Sequence, residues 1–328
     1  MGQATGCRGY NVKDVALFID STTILPTHLM REHAVTVMPV PIYAGGREYR
    51  DGVDITAEEF VSLLESSTER PSTAVPGLGE FQSYYERLLD QHQAILYPVP
   101  SHRLTGLYDA AIQAAEQMQG VTIVAVDPPE HWEKAVFAVR SDEPGLEDRL
   151  QSLSSLPPPI VAVMNTGYAS GASGLVAMAA LGAMDKGQPL EESIRRMIMA
   201  KRNTNIYFIL NTLEYIVDRV GQLGAFLGTL LRIKPILTFK DGLLEDAARV
   251  RGKTQAKRRM IELLRRKAGE RPVDLYVLHS LAPDEATDLL EQAGNAVTVR
   301  YAWVDDIGAS VSRYTGRGGL GIAFTVVR

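Results

Sequence analysis

The sequence predicts an α/β protein of two domains, and three observations predict it. At 328 residues the chain exceeds what a single hydrophobic core usually holds. Short apolar runs of strand length alternate with stretches of helical spacing along most of it. In the clearest such unit, Ala94 to Val99 (A-I-L-Y-P-V) leads through a polar loop into a helix with Leu107, Tyr108, Ala111, Ile112 and Ala115 on one face.

That loop holds Ser101, His102, Arg103, Thr105 and Gly106, next to helix N–H groups that lack intrahelical partners. A helix N-terminus attracts anions, and in open α/β sheets ligands sit outside the carboxyl ends of the strands. The same residues also suit a purely local role, with Ser101 or Thr105 capping the helix.

Composition narrows the function classes. With 45% hydrophobic and 22% charged residues the chain reads as globular rather than disordered. A net charge of −5 argues against a general nucleic-acid binder, which needs a basic footprint. Cys7 is the only cysteine, so an internal disulfide or cysteine metal cluster is excluded and a cytoplasmic location fits. No apolar run approaches the roughly 18 residues of a membrane span, and no secretory signal opens the chain. Only transient contact with a membrane surface is left open. Met1-Gly2 does not make a myristoylation signal, because Gly6 stands where Ser or Thr is required.

Taken in order, residues 1–14 read as a disordered tail. Val15 to Ile19 is a buried strand followed by the polar cluster Asp20-Ser21-Thr22-Thr23, which either faces a crevice or satisfies its own turn. Pro26 opens a helical turn. Val35 to Ile42 reads as one strand interrupted by Pro39 and Pro41. Thr56 and Glu59 form a capping box for a helix with Phe60, Leu63 and Leu64. Pro71 to Gly79 is too rich in Pro and Gly to be regular, and a helix with Phe81, Tyr85 and Leu88 follows.

Farther on, Ser170 to Lys186 is a small-residue helix, Leu190 to Met199 another helix, and Ile206 to Leu210 a strand. Phe226 to Leu231 is apolar and suits either a tail tunnel or a core, and Ile233 to Phe239 is a strand. Arg249 to Arg271 reads as one amphipathic helix with a solvated charged face. Strands follow at Leu275 to Leu278, Val297 to Val304 and Ile322 to Val327. His279 lacks suitably spaced metal-ligand companions, so no zinc site is expected.

Several of these segments together resemble the DegV family of bacterial fatty-acid-binding proteins. They are Ile19 to Pro26, Val53-Asp54-Ile55, Pro71 to Phe81, Leu104-Thr105-Gly106-Leu107-Tyr108, Met164 to Leu175, Leu230 to Gly242 and Thr315 to Gly321. None is specific alone, but their order is, and it covers nearly the whole chain after residue 14. The resemblance implies a first domain over 15–200 with a parallel sheet flanked by helices, and a second over 201–328 with a mixed sheet and helices. It further implies one long-chain fatty acid held between them as ligand, no cofactor and no metal, and no catalysis by this chain alone. A separate fatty acid kinase subunit would phosphorylate the presented carboxylate.

By the same resemblance Thr73, Ser101, His102, Thr105 and Gly106 bind the carboxylate, and Asp20, Ser21, Tyr314 and Thr315 supply further polar wall. Departures from the family pattern are an insertion over about 121–159, Asn165-Thr166 for Asp-Ser, Ala74 for Ser, His102 for Ser, Thr105 for Ser, Tyr314 for His and Arg317 for Pro. The family's Gly-Gly-Arg becomes Arg219-Val220-Gly221, so Arg219 is a displaced candidate for partner contact. The rival class is an enzyme acting on a phosphorylated small molecule, although neither phosphate-binding glycine motif is present. A carrier of another amphiphile is the third reading.

Overall fold

The computed structural model describes residues 14–67, 69–132, 137–219 and 233–327. Most of the expected tail over 1–14, and the apolar segment Phe226 to Leu231, lie outside the described residues, as does the side chain of Arg219.

The first sheet starts with β1 (Val15–Asp20), buried at every residue, then α1 (Thr27–Glu32) and β2 (Thr36–Met38). The single strand expected over Val35 to Ile42 is in fact two. Pro39 has no N–H to continue a ladder, and after it the chain enters β3 (Pro41–Ala44) in a different sheet. There β3 pairs antiparallel with β4 (Arg47–Arg50) and β5 (Ser72–Thr73), so the stretch expected to be irregular contributes two strand residues. Between them α2 (Ala57–Ser66) begins at the expected capping box. Thr56 Oγ1 accepts from Glu59 N at 3.2 Å, and Glu59 Oε2 accepts from Thr56 N at 2.9 Å.

Next come α3 (Leu78–Leu89), β6 (Ala94–Val99) and α4 (Leu107–Glu116). The insertion supplies β7 (Thr122–Val126), β8 (Phe137–Val139) and α5 (Leu146–Gln151), and β9 (Ile160–Asn165), α6 (Ser170–Met184) and α7 (Leu190–Asn203) complete the unit. The sheet is parallel throughout in the order β2-β1-β6-β9-β7-β8, so the insertion extends it beyond β9. It also grips the first turn of α4, because Asp109 accepts from Trp132 Nε1 at 2.7 Å and contacts His131 Nε2 at 3.0 Å.

Helix α7 runs through residue 200, so we take its end as the division between domains. The second sheet comprises β10 (Thr204–Ile209), β11 (Ile233–Lys240), β12 (Leu243–Arg251), β13 (Val273–His279), β14 (Val299–Asp306) and β15 (Leu320–Val326). It is mixed, in the order β12-β11-β10-β15-β13-β14, with β13 and β14 parallel and its other pairs antiparallel. Helices α8 (Lys253–Ala268), α9 (Pro283–Gly294) and α10 (Gly308–Thr315) accompany it. The helix expected from Arg249 starts only at Lys253, since Arg249 to Arg251 belong to β12. Charged side chains on an edge strand read from sequence like the solvated start of a helix, and Gly252 at φ 78° separates the two.

The domains meet across α6, which is buried on both sides. Ala177 and Leu181 pack on Leu17 and Ile19, whereas Ala172 and Leu175 pack on Ile206, Tyr276 and Leu278. The small residues are required there: a Cβ on Gly171 would lie 2.6 Å from Leu278 Cδ1, and one on Gly174 would run into the Ile24 carbonyl oxygen.

Candidate functional site

A cavity of about 370 Å³ lies between the two sheets, within the range of roughly 300–1,000 Å³ usual for small-molecule sites. Its wall is largely apolar: Ile206, Phe208, Ile209 and Leu210 from the β10 region, Phe239 from β11, Leu244 from β12, Leu278 from β13, and Leu104 and Leu107 opposite.

Hydroxyls reach that wall from β5, α10, the loop before α4, the start of α6 and the turn after β1. Thr73 from β5 and Tyr314 from α10 share a hydrogen bond at 3.2 Å, and Thr315 follows Tyr314. Gly106 lines the same cavity and packs near Val75, two residues after Thr73, since a Cβ on it would stand 3.5 Å from Val75 Cγ2. Neither Ser101 nor Thr105 caps α4, whose N-cap is Gly106 without a side-chain bond. The Thr105 hydroxyl and the Gly106 N–H accordingly have no hydrogen-bond partner among the described residues. The cluster joins an open helix N-terminus to neutral hydroxyl donors, and its chemistry suits a carboxylate.

Residues 14–326 match the family model described as an uncharacterised protein of the DegV family. The chain belongs to the DegV family. A DegV domain-containing protein of Streptomyces coelicolor is 27% identical over 315 residues, covering 94% of this chain and 98% of the relative. Among solved structures, a DegV family protein from Thermus thermophilus whose description reports fatty acid binding matches with a TM-score of 0.79 and 27% identity, over 96% of this chain and 100% of that one. Bacillus subtilis DegV, described as a fatty acid binding protein, shares the fold at a TM-score of 0.74 and 21% identity, over 96% and 99% of the two chains.

Of the DegV-like positions picked out in the sequence, Thr73, Thr105, Gly106, Tyr314 and Thr315 form part of the cavity wall, and Ser101, His102, Asp20 and Ser21 do not. Each of the four has another use. Ser101 is fully buried and donates to the Gly242 carbonyl at 2.8 Å, while Arg103 Nη1 donates to the Asp241 carbonyl at 3.1 Å. Asp241 and Gly242, at φ 50° and 79°, form the two-residue turn between β11 and β12, with both central residues left-handed as such hairpins require. Ser101 is thus a latch between domains.

Asp20 is buried beneath the β1 turn, where it accepts from Thr22 N at 2.9 Å and from Tyr97 OH at 3.0 Å, and burial raises its carboxyl pKa. Thr22 rather than Asp20 reaches the wall. Ser21 Oγ accepts from Val40 N at 3.0 Å and contributes to holding Asp51.

His102 turns away toward Asn165, whose Nδ2 approaches its Nδ1 at 2.8 Å. Burial, and then the neighbouring Arg103 charge, lower the His102 pKa, so the ring is neutral at pH 7 and accepts that bond. The folded pKa lies below the unfolded one. The stabilising contribution of the neutral ring is therefore present above the ordinary imidazole value of about 6.5 and is lost as pH falls through the folded value. Nitrogen-resolved NMR titration is expected to give His102 a midpoint below about 6.5 that added fatty acid leaves in place; a midpoint that rises with ligand would return His102 to the site.

Other groups behind or within the wall were not expected there from the sequence, in which His279 was weighed only as a metal ligand. Asp51, after β4, is buried across the domain boundary, accepts from Ala309 N at 3.1 Å and from the Ser310 hydroxyl, and has its pKa raised by burial. It caps α10 and so holds Ser310, Tyr314 and Thr315 against the cavity. His279, Ser170 and Ser310 also form part of the wall. The available signal was His279-Ser280 at a strand end, the same placement that drew attention to Ser101. No cluster of metal-ligating side chains occurs among the described residues.

Proposed function

We propose that this chain is a carrier of one long-chain fatty acid, with its carboxylate at Thr73, Thr105, the Gly106 amide, Tyr314 and Thr315 and its tail along the apolar wall. The observation that carries the reading is the interdomain cavity, apolar except for hydroxyls gathered beside an open helix N-terminus. Charge-assisted hydrogen bonds fix the head, and each buried methylene adds about 0.8 kcal/mol. Fatty acid binding described for DegV relatives, the Thermus thermophilus protein among them, supports it. The described wall carries no Lys or Arg, which disfavours the rival phosphate-handling enzyme.

In this proposal the chain works in the cytoplasm and does no chemistry of its own. A separate kinase subunit would phosphorylate the presented carboxylate, with Arg219 the candidate contact. Denaturing extraction of the purified protein followed by mass spectrometry tests the carrier reading. A fatty acid is expected in the extract; its consistent absence, with no melting shift on adding C16 or C18 acids, would overturn it. Within the site, Thr73→Val is expected to weaken palmitate binding by about 1 to 3 kcal/mol, read by calorimetry, because a charged acceptor loses a hydrogen bond. Unchanged affinity would move the carboxylate elsewhere.

A further inference from the structure

His279 is the last residue of β13, its side chain is 11% exposed, and it forms part of the cavity wall. It pairs with Leu320 across the ladder, and the adjacent Gly319 packs against Thr315, so the imidazole and the Thr315 hydroxyl share one region of that wall.

Its Nδ1 lies 3.2 Å from Asp306 Oδ2. That carboxylate is itself fixed, accepting from Leu281 N at 2.9 Å on Oδ2 and from Gly308 N at 2.8 Å on Oδ1. Burial alone would raise the Asp306 pKa, but the hydrogen bonds from His279, Leu281 and Gly308 outweigh it and hold the carboxyl ionised. The Ala282 N–H also approaches His279 Nδ1, at 3.4 Å, near the long limit for a hydrogen bond. The ionised carboxylate is the stronger partner, and the proton is therefore assigned to Nδ1. Nε2 is left without a partner among the described residues.

The described wall has no Lys or Arg, so His279 is the side chain there whose charge can change near neutral pH. The charged groups packed around it are Asp306 and Asp305, with Asp51 beyond them beside Gly308 and His28 facing Asp305. All of these are present with or without ligand. The negative charge of an acidic ligand comes only with binding, and it favours the imidazolium.

We propose that His279, held at Nδ1 by Asp306, is the charged head-group residue of the cavity: on binding, Nε2 takes a proton from solvent and donates it in a hydrogen bond to one oxygen of the ligand carboxylate. No covalent bond forms or breaks; the carboxylate stays ionised and the imidazole becomes imidazolium. Asp306 is the positioning residue. The inference rests on the fatty acid reading, and a neutral ligand of equal length separates the two.

The experiment measures dissociation constants for hexadecanoic acid and hexadecan-1-ol between pH 6 and 8, below their aggregation thresholds, for the wild type, His279→Gln and Asp306→Asn. In the wild type, affinity for the acid is expected to fall by about tenfold over that range, uptake of one proton limiting the slope to tenfold per pH unit. The alcohol is expected to show no slope. His279→Gln should flatten the acid's profile, and Asp306→Asn should move the fall to lower pH, with circular dichroism verifying that both variants fold. A wild-type slope surviving in His279→Gln, or an equal slope with the alcohol, overturns the inference while leaving the carrier reading intact. Failure of both ligands to bind the wild type defeats the carrier reading and this inference with it.

Discussion

Replacing Gly174 with alanine is expected to destabilise the protein by about 3 kcal/mol or more, at the upper end of what overpacking a well-filled interior costs. The added methyl group would meet the Ile24 carbonyl oxygen, which is backbone and has no rotamer by which to retreat. Ile24 N in turn bonds the Ser170 carbonyl at 3.4 Å, and Ser170 N bonds the Thr22 carbonyl at 3.0 Å, so displacing that loop disturbs a reciprocal pair of strand-like bonds. Urea denaturation checks this. A midpoint equal to that of the wild type would show that α6 and the 22–25 loop can separate at little cost. Gly187→Ala is the control, since nothing lies within 4 Å of a Cβ there and only its φ of 55° opposes the change.

Val311→Trp is expected to abolish fatty acid binding, lowering affinity by at least about 100-fold. Val311 lies on α10 in the cavity wall, next to Ser310 and three residues before Tyr314. An indole there occupies space that about four methylenes would fill, and at roughly 0.8 kcal/mol each their exclusion forfeits about 3 kcal/mol. The melting temperature should hold, because a filled cavity restores contacts. Binding with wild-type affinity would place the tail elsewhere.

The parallel sheet was legible because buried strands with both faces covered read as continuous apolar runs, as Val15 to Ile19 and Ala94 to Val99 do. Edge strands were not: β12 (L-L-E-D-A-A-R-V-R) lacks a strict alternation and its last three residues pass for the start of a helix, and β5 spans only two residues whose pairing with β3 is decided by a partner some thirty positions earlier. The site was legible to the same extent. Thr105 and Gly106 follow from a strand-loop-helix pattern that any α/β sheet displays. Ser101 and His102 share that loop, yet their side chains are claimed by Gly242 and Asn165, distant in sequence, which local pattern cannot reveal. Asp51 is the extreme case, because its partners Ala309 and Ser310 lie more than 250 positions away.

Helix α6 belongs to both cores at once, and this fixes how the molecule can be taken apart. Severing the chain after α7 would leave Ala172 and Leu175 facing water on one fragment, and Ile206, Tyr276 and Leu278 doing so on the other. Each fragment would then carry a sticky apolar flank of the kind that drives aggregation. The two halves are therefore units of architecture rather than independent modules, and the cavity between them cannot be inherited, grafted or expressed with either one alone.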